Sequence, residues 1–153
     1  VYKRQDMQIY QTVDEIKDSS AAIVIASYSS DPTECYEKDE GTGMELYATR
    51  YTLDVEKVLK GDLAEADQIT FMQTGKPDSD EYETKIKKGK KYLLFLAQKD
   101  VSLTGGEIIY DAVGVEQGII EIKENNKLYS YYDEGIMTKY DGESLSKLAA
   151  EIK

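Results

Sequence analysis

Chemistry near neutral pH most often needs a histidine, and this chain has none. The commonest general base and the commonest metal ligand are therefore missing. Ser-His-Asp and Cys-His catalysis are excluded. With a single cysteine, Cys35, a structural zinc site is excluded too. Oxygen chemistry remains. The 30 Asp and Glu residues could supply a carboxylate pair for glycoside hydrolysis, but no spacing singles out such a pair, and a solvated acidic surface accounts for the same residues. Asp31, Glu34, Glu37, Asp39 and Glu40 crowd one segment, "DPTECYEKDE". Calcium takes such ligands, yet the ordered D-x-[DN]-x-[DN]-G spacing is absent; no metal is assigned, and calcium in the acidic 31–41 loop stays an open alternative. "PDSDEYE" is a weaker version of the same signal.

Three further patterns have plainer explanations. Ser144 to Lys147 match S-x-x-K, in which a lysine activates a serine, but the accompanying S-D-N and K-T-G elements are missing. Leu145 and Leu148 make that segment a packing helix. Cys35 is flanked by acidic residues, which disfavour a reactive thiolate, so it reads as an inert thiol. Lys85, Lys87, Lys88, Lys90 and Lys91 surround one glycine turn. They form a local positive spot able to meet an anion or an acidic partner, although solvated lysines also guard sheet edges. No G-x-x-x-x-G-K-[ST] cradle for phosphate is present. No catalytic residue and no cofactor is assigned.

Tyrosine is the unusual residue: 13 Tyr stand against 2 Phe and no Trp. Tyrosine buries a ring while keeping a hydroxyl for water or a partner. Tyr129 and Tyr131 are expected to share one strand face, and Tyr47 and Tyr51 could extend the patch. That suggests a recognition surface for a peptide, a glycan or another protein. The ordinary suitability of tyrosine for half-buried strands explains the same residues and comes first.

These side chains must be positioned by a mostly β chain. Thr12 and Glu15 have capping-box spacing and open a short helix over 13–18. "AAIVIASYS" is a continuous apolar run suited to a strand buried on both faces. Residues 30–43, "SDPTECYEKDEGTG", read as a loop. "MELYATRYTLDVEKVL" alternates clearly over 51–56 and slips phase after Lys57, which predicts a bulge or bend before the turn at Lys60-Gly61. "DQITFMQT", "KKGKKYLLFLAQ", "GGEIIYDAVG" and "QGIIEIKENNKLYSYY" supply further strands, with a tight turn at Asn125-Asn126. "GKPDSDEYETK" is a polar excursion between strands. Leu145, Leu148, Ala149 and Ile152 recur at helical spacing and predict a terminal amphipathic helix on the sheet.

The bounds agree with this. A chain of 153 residues makes one domain, residues 1–153, with no internal repeat. It can bury about two-thirds of its unfolded surface, so no disulfide staples are needed. Charged residues reach 32% against the usual ~25%, which implies a heavily solvated surface. A net charge of −11 repels phosphate backbones and anionic membrane surfaces, so nucleic acid is not an expected partner. No apolar run approaches the ~20 residues of a membrane span. The opening "VYKRQDMQ" shows no signal peptide and no initiator Met, and is read as a processed or trimmed chain.

In order along the chain, "TVDEIKDSSAAIVIASY", "YTLDVEKVLKGD", "ITFMQTG", "IKKGKKYLLFLAQ" and "YDAVGVEQGIIEIKENNKLY" resemble a broad group of bacterial exported proteins and lipoproteins. The resemblance spans residues 12–132. It is most specific at Val58-Leu59-Lys60-Gly61 and at Gly89-Lys90-Lys91-Tyr92-Leu93-Leu94-Phe95-Leu96. It implies an OB-like, TIMP-like fold similar to netrin and metalloproteinase-inhibitor modules: an antiparallel barrel of six or seven strands with a short amino-terminal helix and a carboxy-terminal amphipathic helix. It also implies export, to the cell surface or beyond, with membrane attachment only through a lipid anchor upstream of Val1. The inhibitors grip zinc with an amino-terminal cysteine, whereas this chain starts at Val1 and has only Cys35; that mechanism does not carry over. The expected function is therefore non-enzymatic binding at the cell surface, through the Tyr129/Tyr131 hairpin or the acidic loop. The alternatives are a carboxylate-based glycan-active enzyme and a peptidase inhibitor of altered mechanism.

Overall fold

Thr12 begins the first helix as its spacing predicts. In a computed structural model describing residues 8–38, 41–102 and 104–153, its Oγ1 accepts the Glu15 N–H at 3.1 Å and α1 runs Val13–Asp18. The Glu15 carboxylate reaches to the Gln11 N–H, one residue before the cap. Eight strands follow: β1 (Ala22–Ser27), β2 (Thr33–Lys38), β3 (Glu45–Lys60), β4 (Gln68–Thr74), β5 (Lys91–Gln98), β6 (Ile109–Ala112), β7 (Ile119–Ile122) and β8 (Leu128–Ser130). Helix α2 (Leu145–Ile152) ends the chain, with Ser144 Oγ accepting the Lys147 N–H.

Five strands close a barrel. β1 pairs β3, β3 pairs β4, β4 pairs β6, β6 pairs β5, and β5 returns to β1. Closure removes the exposed edges that an open sheet would carry. β5 is the hub: its Lys91–Leu94 half also pairs β7, and its Leu96–Gln98 half pairs β6. Tyr92, Leu93, Leu94, Phe95 and Leu96 are each 0% exposed, which is why this run carries no polar position. Alternation sends Leu93 and Phe95, with Ile23 and Ile25 of β1, outward under a helical layer that includes Ile16, Leu148 and Ile152. Tyr92, Leu94 and Leu96 point inward with Val24, Leu53, Val55 and Phe71.

The slip after Lys57 is a bulge at Leu59, and a second bulge stands at Glu56: Val24 faces Val58 while Ile23 faces Lys60, and Ala26 faces Val55 while Ile25 faces Lys57. The bend lets β3 join β1 through residues 54–60 and β4 through 48–54. Lys60 Nζ donates to the Lys17 carbonyl at 2.8 Å, capping the end of α1. Gly61 must turn with φ +105° while the Ala21 carbonyl lies 2.9 Å from where a Cβ would stand. A tighter case is Gly118, whose Cβ would meet the carbonyl oxygens of Val113 at 2.7 Å and Phe95 at 2.9 Å. Backbone atoms of the hub cannot swing aside, so Gly118→Ala is expected to lower stability by about 2 kcal/mol or more. A urea midpoint equal to the parent's would contradict that packing.

Two expectations change. Residues 30–43 do not form only a loop: β2 pairs residue for residue with Glu45–Arg50, from Thr33↔Arg50 to Lys38↔Glu45. Its charges made it look like a loop, but the long arm of β3 supplies a pairing template that local composition does not reveal. This strand helps bring the number to eight rather than six or seven. The barrel also contains one parallel pair, Thr70↔Ile109 and Phe71↔Tyr110, within otherwise antiparallel pairing. The turn at Asn125-Asn126 is present, with φ of 61° and 58°.

Candidate ligand-binding face

Alternation along β3 places Tyr51 inside the barrel. It is 2% exposed, its ring centroid lies 4.8 Å from that of Tyr28, and its hydroxyl donates to Gln73 Oε1 at 3.1 Å. It is a core residue and leaves the set of surface tyrosines. Tyr47 is half-buried on the β2–β3 ribbon, beside the Tyr36 ring at 5.0 Å and under the Lys76 ammonium at 4.5 Å. Tyr129 and Tyr131 do share a face of the β7–β8 hairpin, edge to face at 6.2 Å. Tyr129 is 49% exposed; Tyr131 is half-buried and shares a 2.7 Å hydroxyl bond with Tyr92. Of the four tyrosines, only Tyr129 and Tyr131 are joined by a ring contact.

The polar excursion after β4 turns out to be a strap fastened across the inward tyrosines. Gln73 Oε1 accepts the Ile86 N–H at 2.9 Å, and its Nε2 donates to the Thr84 carbonyl at 2.9 Å. Tyr28 donates to the Ile86 carbonyl, the Lys87 N–H donates to Tyr92, and the Thr84 N–H and hydroxyl both donate to Glu116. Lys85 is 1% exposed and donates to the Ser79 and Glu83 carbonyls, both at 2.8 Å. Burial pushes its pKa down, while Glu83, Asp80 and Glu116 push the other way. The five-lysine spot is therefore divided. Lys85 is interior, Lys87 faces Asp80 and Lys88 pairs with Asp31.

Lys90 and Lys91 line an open groove of about 620 Å³ with Glu121, Lys123, Asn125 and Asn126. Lys90 pairs with Glu121 at 3.4 Å, Lys91 with Glu56 at 3.1 Å, and Lys123 lies 4.8 Å over the Tyr129 ring. A second groove of about 560 Å³ lies between α2 and the bent end of β3, and Asn125 and Asn126 line it too. Ile25, Leu59, Leu145 and Ala149 line it as apolar residues, with Lys57 and Lys153 beside them. Along the two grooves five lysines (57, 90, 91, 123, 153) stand with three glutamates (56, 121, 124). This is a locally cationic face on a chain of net charge −11.

Sequence reading found Lys90, Lys91, Tyr129 and the Asn turn. It missed Lys57, Lys123 and Lys153, which are dispersed along the chain and meet only through the barrel. Part of the acidic segment is the strand β2. As a strand it sends successive side chains to opposite faces, Asp31 is held by Lys88, and Asp39 and Glu40 lie outside the described residues. Among the described residues no three of His, Cys, Asp or Glu come together to hold a metal ion. No helix among them is long and apolar enough to cross a membrane.

Fold and face together define a small closed β barrel bearing an open, lysine-walled groove. No protein-family model, curated protein or solved structure matches the chain.

Proposed function

We propose that this chain is a non-enzymatic binding domain of an exported, surface-attached protein, and that it binds through the face formed by the β7–β8 hairpin and the two adjoining grooves. The observation that carries this reading is the gathering of five lysines around the Asn125–Asn126 turn of a strongly acidic chain. Tyr129 adds a half-exposed ring beside them. The groove's one buried carboxylate, Glu121, is tied to Lys90, which suits electrostatic shaping of a binding surface better than proton transfer. Export and a lipid anchor follow from the resemblance at Val58–Gly61 and Gly89–Leu96. A small five-stranded barrel is also the architecture of OB-type binding modules, which take ligands on a barrel face.

The test is a screen of glycan and peptide arrays with the parent chain and a Lys123→Glu/Tyr129→Ala variant. Saturable binding by the parent that the variant loses is expected. Turnover of a glycan would instead favour a carboxylate enzyme, and absence of binding to every probe would overturn the reading. A gene whose product starts in the cytosol without a leader would remove the assignment to the cell surface.

A further inference from the structure

The groove beside α2 differs from its neighbour in having an apolar side. Leu59, Leu145 and Ala149, all half-buried, line a shallow trough above the buried Ile25. Lys57 and Lys153 are exposed beside it, and neither forms an ion pair among the described residues. Apolar surface flanked by unpaired ammonium groups matches a ligand with aliphatic side chains and carboxylates in alternation. The trough meets the second groove at Asn125 and Asn126, whose side-chain amides can both donate to and accept from a peptide backbone. Beyond that turn, Lys91 and Lys123 continue the positive wall.

We propose that the two grooves hold an extended acidic segment of a protein partner, with one or two aliphatic side chains seated on Leu59, Leu145 and Ala149, and carboxylates met by Lys57 and Lys153 at one end and by Lys91 and Lys123 at the other. This rests on the binding-domain reading and narrows its ligand to a peptide. A polyhydroxylated chain gains little from an aliphatic seat, whereas a leucine or isoleucine buries apolar area there. The ammonium groups of Lys90 and Lys91 are about half exposed, so an incoming carboxylate can share them while Glu121 and Glu56 keep their partners. The groove is open, so the segment docks without a lid, and its affinity depends on salt.

Fluorescence anisotropy with a fluorescein-labelled peptide of alternating Glu and Leu tests this. Glu-Ser repeats, Lys-Leu repeats and polygalacturonate serve as comparisons. Saturable binding is expected for the Glu-Leu peptide, weaker binding for Glu-Ser, and none for Lys-Leu. Lys57→Glu with Lys153→Glu should weaken Glu-Leu binding by about tenfold or more. Ala150→Trp, at an exposed helical position, should block the trough and remove the advantage of Leu over Ser. All these positions lie on the surface, and an unchanged urea midpoint verifies that each variant is folded. Equal binding of Glu-Leu and Glu-Ser, or parent-like binding by both variants, overturns the peptide assignment. Polygalacturonate binding without Glu-Leu binding does the same while leaving the binding-domain reading intact. Failure of these probes together with failure of the arrays overturns both.

Discussion

Gln73→Leu is expected to unfasten the strap over residues 75–90 and to lower stability by about 3 kcal/mol or more. The side chain is 2% exposed and serves three groups at once: the Tyr51 hydroxyl, the Ile86 N–H and the Thr84 carbonyl. Leucine has nearly the same volume, so the barrel interior stays filled and the loss isolates the polar contacts. Each buried group left without a partner costs about 1–3 kcal/mol. The lower part of the summed range applies because a released strap can turn Ile86 and Thr84 toward water. Tyr51→Phe provides the contrast. It removes one hydroxyl but leaves Gln73 pinning the strap, and should cost only about 1 kcal/mol. Urea unfolding gives both values. Hydrogen exchange at the Ile86 and Lys87 amides should rise sharply in Gln73→Leu and little in Tyr51→Phe. A Gln73→Leu protein within about 1 kcal/mol of the parent, with those amides still protected, would show that the strap is held elsewhere.

The second large effect is alkaline unfolding. Tyr28, Tyr51, Tyr92 and Tyr131 form a cluster beneath the strap, and burial raises the pKa of each. The folded chain keeps these protons while the unfolded chain releases them near pH ~10. Stability is therefore fully present below pH ~10 and falls as pH rises above it, by about 1.4 kcal/mol per pH unit for each proton retained. Tyr51 and Tyr131, whose pKa values burial raises most, dominate, and together they imply a loss of about 2 kcal/mol over the first unit above pH ~10. Lys85 acts in the opposite direction. Its folded pKa is depressed, so its burial penalty eases as pH approaches the ordinary lysine range, but it is one group against several. Urea midpoints at rising pH should stay level and then drop, and tyrosinate absorbance should show phenols that ionise only on unfolding. An unchanged midpoint at pH ~11, or titration of every phenol in the folded state, would contradict the cluster.

Much of the fold was readable because periodicity is a direct physical signal. The run Tyr92–Leu96 has no polar residue and must be buried on both sides, and it is. Thr12 and Glu15 mark a helix start because an N-cap needs an oxygen at that spacing. The phase slip near Lys57 foretold the β3 bulge because one extra residue reverses which side chains face inward. Other elements gave no local sign. β2 carries loop-like charges and is a strand only because β3 extends past the barrel to pair with it. In the strap, the same polar letters describe an exposed Asp80 and the interior Lys85 and Glu83. Tyr51 and Tyr129 are alike in composition and opposite in burial, because one alternates into a closed barrel and the other out of a hairpin.

By itself the sequence determined the class of chemistry and of architecture: no histidine-based catalysis, a strongly acidic exterior, a β-rich chain with a sealed central strand and helices near its ends. Those properties depend on residue type and short-range order, and both are written in the chain. Tertiary structure alone decided which charges meet. Lys57, Lys90, Lys123 and Lys153 lie tens of residues apart, and they surround one turn only because β1, β3, β5 and β7 are neighbours in the sheet and α2 folds back over the bent end of β3. Electrostatic fields and grooves arise from distances through space, and those exist only once the barrel has closed.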